Sequence, residues 1–223
     1  MGFSHGSRNR LTARACALFP GESLFDRLAR AVCEAECLPR KELFEAWEVA
    51  RRVRRHFRGG RIVDLACGHG LLGWTLLLLD DSSPRAVCVD SRRPASAERL
   101  RMVLEARWPR LAGRVEFQER SLCELQLESG DLVVSAHACG ELTDKVLALA
   151  IAARARVAVL PCCHGLGGGE DEDAAGLEGW LDRALAIDVT RACRLRAAGY
   201  RVWTARIPEE VTPKNRLLFG EPL

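Results

Sequence analysis

The stretch from Arg61 to Gly73, Arg-Ile-Val-Asp-Leu-Ala-Cys-Gly-His-Gly-Leu-Leu-Gly, constrains the fold of this chain more than any other. Ile62 and Val63 begin a short apolar run between two glycine-rich segments, a pattern typical of a buried parallel strand. Leu71 to Leu79 contains no helix breaker after Gly73 and predicts a helix. Strand, glycine turn and helix together place backbone N–H groups and a positive helix end around one spot. The sequence therefore predicts a binding site for a polar or anionic small molecule.

Two classes of cofactor use such a turn, and Asp64 discriminates between them. The spacing Gly68-x-Gly70-x-x-Gly73 matches the dinucleotide fingerprint, and Asp90 ends the next predicted strand. A dinucleotide site usually follows a wholly apolar strand, because pyrophosphate repels a nearby carboxylate. Asp64 stands four residues before Gly68, where it favours a cationic ligand. An NAD-dependent oxidoreductase is therefore the weaker alternative.

The run Asp64-Leu-Ala-Cys-Gly-His-Gly resembles the Asp/Glu-x-Gly-x-Gly-x-Gly signature of class I S-adenosylmethionine-dependent methyltransferases. The resemblance implies S-adenosyl-L-methionine as cofactor, a ligand with an ammonium, a sulfonium and no phosphate. Ala66 replaces the first glycine of the signature, which costs little if its φ is negative. The resemblance implies that the cofactor contacts Asp64, Ala66, Cys67, Gly68 and Gly70.

Composition and length indicate the size of the fold and the cellular setting of the chain. A chain of 223 residues with 48% hydrophobic residues can build one α/β core with a small N-terminal addition. Ten scattered cysteines and a polar, basic start at residues 1–14 favour a reducing cytoplasm over secretion. No apolar run approaches membrane-spanning length, so we expect no membrane association. The net charge of +3 does not by itself indicate nucleic acid, and the oligomeric state stays open.

The N-terminal region is predicted to be helical. Residues 1 to about 20 show no apolar periodicity and predict a loose tail. Apolar residues at helical spacing predict helices over Glu22–Cys37 and Lys41–Phe57. We expect residues 1–58 to pack on a core domain formed by residues 59–223.

The Arg51–Arg58 segment at the end of the second helix admits two interpretations. It contains five arginines, namely Arg51, Arg52, Arg54, Arg55 and Arg58. Cations stabilise the C-terminus of a helix and form a solvated face. Alternatively, the segment binds the RNA backbone.

The remaining strands and helices follow in alternation. Strands are predicted over residues 85–90, 115–118, 131–136, 156–160, 201–206 and 217–220, and helices over residues 94–108 and 177–198. Asp90 is placed to accept hydrogen bonds from both ribose hydroxyls, with a helix N-cap as the alternative. Ser121 and Leu122 follow the third strand, where the methyltransferase resemblance implies contact with adenine. A surface turn is the alternative there.

His137 and Cys139 follow the fourth strand, at the edge where open α/β sheets carry their reacting groups. Methylases of amino nitrogens often carry an Asn/Asp-Pro-Pro-Tyr/Phe tetrad here, and that tetrad is absent. His137 is instead a candidate base for a hydroxyl, a thiol or a ring nitrogen. Alternatively, it caps the next helix or packs on the cofactor.

The fifth strand ends in Pro161-Cys162-Cys163-His164. These side chains, with His137 and Cys139, allow a zinc site, but adjacent cysteines are poor chelate spacing and we expect no metal. The methyltransferase resemblance implies a seventh strand that runs antiparallel to the others. This strand brings residues 212–216 beside residues 161–164. Residues 137–140, 161–164 and 212–216 then surround one pocket, where Lys214 and Asn215 hold a substrate phosphate or carbonyl. An ordinary hairpin turn is the alternative for these two residues.

Together, Asp64-x-Ala-Cys-Gly-x-Gly, His137-Ala-Cys-Gly-Glu-Leu-Thr-Asp144 and Pro161-Cys-Cys-His164 are similar to a methyltransferase branch that contains eukaryotic tRNA 2′-O-methyltransferases. The resemblance spans about residues 41–222 and implies a Rossmann-like α/β sheet of seven strands in the order 3-2-1-4-5-7-6. The zinc-finger segments of the tRNA enzymes are missing from this sequence. From the rest of the resemblance we expect a methyltransferase whose acceptor is RNA, at a hydroxyl or ring nitrogen. The alternative is a non-catalytic module that binds S-adenosylmethionine.

Overall fold

A computed structural model describes residues 4–136, 138–161 and 174–223, and these ranges contain one sheet of seven strands. The strands are β1 Ile62–Leu65, β2 Ala86–Asp90, β3 Val115–Glu119, β4 Leu132–Ser135, β5 Arg156–Val159, β6 Tyr200–Arg206 and β7 Arg216–Pro222. Their order is β3-β2-β1-β4-β5-β7-β6, and β7 runs antiparallel to both β5 and β6. The other neighbouring pairs are parallel. The predicted fold class and strand order are confirmed.

Six helices of the described ranges cover the two faces of the sheet. They are α1 Leu24–Ala35, α2 Arg40–His56, α3 Leu71–Leu79, α4 Ala97–Arg107, α5 Glu141–Ala153 and α6 Arg183–Ala197. Alternation along β1 divides the core, because successive strand side chains point to opposite faces. Ile62 packs with the side chains of α1 to α4, whereas Val63 packs with those of α5 and α6.

Helix α3 lies at the centre of the first of these layers. Its residues from Leu71 to Leu78 are all buried. A helix that is apolar on every side must be covered on every side. The sheet and α2 provide this cover, so α2 forms an outer layer over α3.

The N-terminal segment is ordered, and the prediction of a loose tail was wrong for residues 4–20. Leu11 and Phe19 are 1% and 3% exposed. The Leu11 N–H donates to the carbonyl of Leu38 at 2.9 Å, and Arg10 forms a β-bridge with Pro39. Two isolated apolar anchors and a bridge leave no periodic pattern in the sequence, which explains the error.

Two further features complete the fold. Helix α6 begins at Arg183, six residues after its predicted start, because Asp182 caps it by accepting a 3.0 Å hydrogen bond from the Leu185 N–H. None of the helices within the described ranges combines the length and the apolarity needed to cross a membrane.

Candidate active site

The glycine turn between β1 and α3 uses three left-handed residues. Ala66, Gly68 and Gly70 have φ values of 54°, 55° and 73°. The condition for a low cost at Ala66, a negative φ, is not met, and its conformation costs roughly 1–2 kcal/mol. The Cys67 N–H donates to Val89 in β2 at 3.2 Å, and the Gly70 N–H donates to Cys67 at 2.8 Å. These bonds hold the turn in its strained form.

The glycines of the turn differ in what surrounds them. A Cβ on Gly70 would lie 2.7 Å from the Phe117 ring, and one on Gly73 would lie 2.9 Å from the Cys88 sulfur. These two positions need glycine because α3 packs closely on β2 and β3. A Cβ on Gly68 would meet nothing within 4 Å. Open space beside Gly68, next to the backbone N–H groups of the turn, fits a bound cofactor.

Asp64 is the buried acid of the site, at 1% exposure. Its Oδ2 accepts a 3.0 Å hydrogen bond from the Gly73 N–H near the start of α3. Burial raises the pKa of Asp64 from 3.8 to about 7, although the Gly73 bond lowers it, and the Asp90 charge adds to the rise. A cation bound nearby would stabilise the ionised carboxylate, which matches the cationic ligand predicted from sequence.

Asp90 ends β2 beside the turn. Its Oδ2 accepts a 2.8 Å hydrogen bond from the Gly68 N–H, and its Oδ1 lies 3.4 Å from the Arg92 N–H. The carboxylate is partly exposed at the carboxyl edge of the sheet. It therefore fixes the open glycine of the turn and borders the space next to it.

Cys67 is packed beneath the turn against Cys88. A hydrogen bond with Cys88 lowers the pKa of the Cys67 thiol, but burial and nearby carboxylates leave it raised overall. The hydrogen bond with Cys67, together with burial, raises the pKa of Cys88 well above its ordinary value. Both thiols therefore stay protonated at neutral pH and support the turn through packing.

Ser121 and Leu122 lie after β3, where a 3₁₀ turn spans Leu122–Glu124. Leu122 is 9% exposed and joins the core on the α5 side, whereas Ser121 is exposed. Leu122 thus offers an apolar surface beyond the end of β3.

The segment after β4 is held by two hydroxyl groups that sequence reasoning missed. Ser135 Oγ donates to the Leu65 carbonyl at 2.7 Å and accepts from the Ala138 N–H at 3.3 Å. Thr143 Oγ1 donates to the Ala138 carbonyl at 2.6 Å. Cys139 is exposed beside these bonds, and His137 lies outside the described residues. A serine that ends an otherwise apolar strand was the available signal.

A buried ion network joins α5, α6 and β7, and sequence reasoning missed it too. Arg191, only 2% exposed, donates to Asp144 at 2.6 and 2.7 Å and to the Gly140 carbonyl at 3.2 Å. Asp188 lies 3.5 Å from Arg191 and accepts a 2.6 Å bond from Arg216. The network therefore fixes the turn that follows Cys139.

Of the three stretches predicted to surround one pocket, only residues 161–164 and 212–216 each place a described residue in the same cavity. Pro161 and Arg216 line the same cavity, and Gly140 is linked to Arg216 through Arg191 and Asp188. Cys162, Cys163 and His164 lie outside the described residues. Within the described ranges, no group of three or more His, Cys, Asp and Glu residues is placed to hold a metal.

Lys214 and Asn215 lie in the connection from β6 to β7. The Asn215 side chain donates to the Ile207 carbonyl at 3.1 Å, and the Ile207 N–H donates to the Asn215 carbonyl at 2.9 Å. Lys214 is exposed. Asn215 therefore closes the hairpin, and Lys214 offers a cation at the carboxyl edge.

The arginines of α2 divide into two groups. Arg54 is 5% exposed, donates to the Leu76 carbonyl at 3.1 Å and pairs with Asp80 at 3.3 Å. Arg52 bonds the Arg206 carbonyl at 2.7 Å. The interpretation that all five arginines face RNA was therefore wrong for Arg54, which is a core residue. The exposed group consists of Arg51, Arg55 and Arg58.

Comparison with known proteins identifies the class of protein. A family model described as a methyltransferase domain matches residues 42–166, more than half of the chain. No protein of curated function matches the sequence.

Three solved structures illustrate the shared fold. An O-methyltransferase family protein from Burkholderia thailandensis matches with a TM-score of 0.52 and 18% identity, over 95% of this chain and 63% of its own. The tRNA methyltransferase TrmK of B. subtilis matches with a TM-score of 0.52 and 14% identity, over 78% and 65% of the two chains. A putative RNA methyltransferase from Pyrococcus horikoshii matches with a TM-score of 0.51 and 16% identity, over 84% and 87%.

The chain spans 60–63% of the length of three of the solved structures that it matches. At these identities, the structural matches show the fold alone. The family match decides between the two cofactor classes and confirms S-adenosyl-L-methionine, for which Asp64 and the open space at Gly68 are suited. The chain therefore belongs to this methyltransferase-domain family.

Proposed function

We propose that this protein transfers a methyl group from S-adenosyl-L-methionine to a hydroxyl or ring nitrogen of RNA. The observation that carries the proposal is the exposure of Arg51 and Arg55 near the end of α2 and of Arg58 just beyond it. Exposed guanidinium groups bind the phosphates of an RNA backbone. The sequence resemblance to tRNA 2′-O-methyltransferases supports the same acceptor class.

The cofactor site is proposed to use the residues around the glycine turn. Asp64 and the turn of Ala66, Cys67, Gly68 and Gly70 hold the methionine part, Asp90 holds the ribose, and Ser121 and Leu122 contact the adenine. The cofactor supplies a methyl group on a sulfonium that is already activated toward nucleophiles. The turn and Asp90 contribute positioning, since the Asp90–Gly68 hydrogen bond fixes the open side of the site.

The acceptor is proposed to approach from the end of β4. His137 takes or steers the proton of the attacking group, and Cys139 lies beside it. Ser135 and Arg191 hold the flanking turn. Lys214 and Asn215 bind a phosphate or carbonyl of the substrate, with Lys214 supplying the exposed cation.

We further propose that residues 59–223 form the catalytic domain, with residues 1–58 as an addition that covers α3. The protonated, buried thiols of Cys67 and Cys88 suit a reducing cytoplasm.

A labelled-methyl assay over separate pools of RNA, protein and small molecules tests the proposal. We expect label in RNA, and we expect the combined change of Arg51, Arg55 and Arg58 to Gln to raise the KM for RNA at least about tenfold at low salt. The matched control changes Arg14, Arg85 and Arg196, which are exposed elsewhere, to Gln. Label in protein or small molecules alone would overturn the RNA acceptor. S-adenosylhomocysteine binding without label in any pool would instead indicate the non-catalytic module.

A further inference from the structure

A second cavity lies between α6 and the β6–β7 hairpin, away from the glycine turn. Its volume is about 430 Å³, within the range of roughly 300–1,000 Å³ in which small ligands bind. Val189 and Ala192 of α6 form one wall, and Thr204 and Leu218 of the hairpin form the other. Pro161, which follows β5, places the cavity at the carboxyl edge of the sheet.

The mouth of the cavity carries two arginines on one face of the hairpin. Arg206 and Arg216 are direct partners in the β6–β7 register, as are Thr204 and Leu218 one step deeper. Directly paired residues of antiparallel strands point to the same face. The hairpin therefore presents cations at the edge of the sheet and a largely apolar surface behind them.

The two arginines are unequally compensated. Arg216 donates to Asp188 at 2.6 Å. Arg206 is exposed and forms no ion pair within the part of the chain that the structure describes. Like charges directly opposite each other destabilise a strand pair, so an anionic partner would stabilise this arrangement. Leu185 in the first turn of α6 also lines the cavity and adds to its apolar surface.

We propose that this cavity binds a nucleotide that flanks the methylated position in single-stranded RNA. The base packs between Ala192 and Leu218, and its phosphate binds Arg206 and Arg216. The β4 end that carries His137 and Cys139 is separated from β7 by β5 alone, which gives about 10 Å at the usual strand spacing. That distance fits a neighbouring nucleotide and not the methylated one. The inference rests on the proposed RNA acceptor and assigns a subsite to it.

Two variants test the subsite in the labelled-methyl assay with RNA. Ala192→Leu fills the cavity, and Arg206→Gln removes the uncompensated cation. We expect each to raise the KM for RNA about tenfold, because Ala192→Leu excludes the base from the cavity and Arg206→Gln removes a phosphate contact. The Kd for S-adenosylhomocysteine is expected to stay within about twofold, which also shows that the variants fold. The matched controls are Ala148→Leu on α5 and Arg201→Gln on β6, both at exposed positions outside the cavity.

The outcomes separate the subsite from the function itself. RNA labelling with unchanged KM in Ala192→Leu and Arg206→Gln would overturn the subsite and leave the RNA acceptor intact. If the Ala192→Leu variant no longer binds S-adenosylhomocysteine, its fold is disturbed and Arg206→Gln alone tests the subsite. Arg206 is exposed, so its replacement leaves the fold intact. Absence of label from RNA with the unmodified protein, or label in protein, would overturn both proposals.

Discussion

The half of the sheet proposed to bind the cofactor, formed by β1, β2, β3 and α3 and called the cofactor half, is held by residues close in sequence. Distant residues hold the half proposed to bind the acceptor, β4 to β7, called the acceptor half. Asp64 bonds Gly73 nine positions away, and Gly68 bonds Asp90 over 22 positions. In the acceptor half, Arg191 reaches back 47 positions to Asp144 and 51 to Gly140. A short motif therefore builds one half of the site, and tertiary packing builds the other.

The largest effect is expected in the acceptor half, from Arg191→Met. The change leaves Asp144, which is 15% exposed, without its buried counter-charge, whereas Asp188 keeps its ion pair with Arg216. Removal of one partner of a buried ion pair lowers the free energy of unfolding by about 3–5 kcal/mol. Urea denaturation of the cofactor-free protein measures the loss.

Arg196→Met on the same helix is the control, because Arg196 is exposed and its replacement is expected to change the free energy of unfolding by less than about 0.5 kcal/mol. Equal losses in the two variants would show that the network does not hold the acceptor half, and the comparison between the halves would fail.

The next effect is expected in the cofactor half, from the pH dependence of Asp64→Asn. The pKa of Asp64 is about 7 in the folded protein against an ordinary value of 3.8, so the folded protein keeps a proton that the unfolded chain releases. Stability contributed by this group therefore falls as pH rises from about 4 to 7. Above pH 7 we expect Asp64→Asn to be more stable than the unmodified protein by roughly 4 kcal/mol, since each pKa unit corresponds to about 1.4 kcal/mol.

Thermal or urea unfolding of both proteins at pH 5, 6, 7 and 8, each without cofactor, measures the difference. Asparagine retains the oxygen that accepts the Gly73 N–H, so the turn should persist. Parallel stability curves for the two proteins across this pH range would show that Asp64 is ionised throughout and that burial does not dominate its pKa.

The fold followed from the sequence wherever a pattern repeats. Apolar runs and helical spacing predicted the strands and the helix Leu71–Leu79, and the resemblance supplied their order. The prediction of a loose tail was wrong for residues 4–20 because Leu11 and Phe19 are single buried residues without periodicity. The prediction for Arg54 was wrong because a cation in the last turn of a helix is usually exposed. Its contacts with Ser83 and Asp80 follow only from the packing of distant segments.

The residues of the candidate site divide in the same way, into those of a local sequence motif and those that distant packing brings together. Asp64 and Asp90 could be predicted as cofactor residues because they flank a glycine turn whose chemistry is local. Arg191 was missed because nothing near it in sequence indicates a partner 47 positions away. A buried arginine in a helix of mixed polarity is read as solvated until the opposite helix is placed beside it.

The smallest effect is expected where the two halves meet, from Ser135→Ala. Ser135 Oγ donates to Leu65, the last residue of β1 before the glycine turn, and accepts from Ala138 beside Cys139. Ser135 is 1% exposed, and loss of its hydroxyl removes the hydrogen bonds that it makes to these two backbone groups, at about 1–2 kcal/mol of stability.

Because Ser135 touches both halves, its removal should also weaken the binding of S-adenosylhomocysteine and lower the rate of methyl transfer, each by about threefold to tenfold. Calorimetry and the labelled-methyl assay measure these two effects. The control is Thr190→Ala, since Thr190 Oγ1 makes a comparable 3.0 Å bond to Ala186 inside α6 and joins nothing across the sheet. If Thr190→Ala weakened cofactor binding as much as Ser135→Ala, the junction would have no special role, and the halves would be coupled through global stability instead.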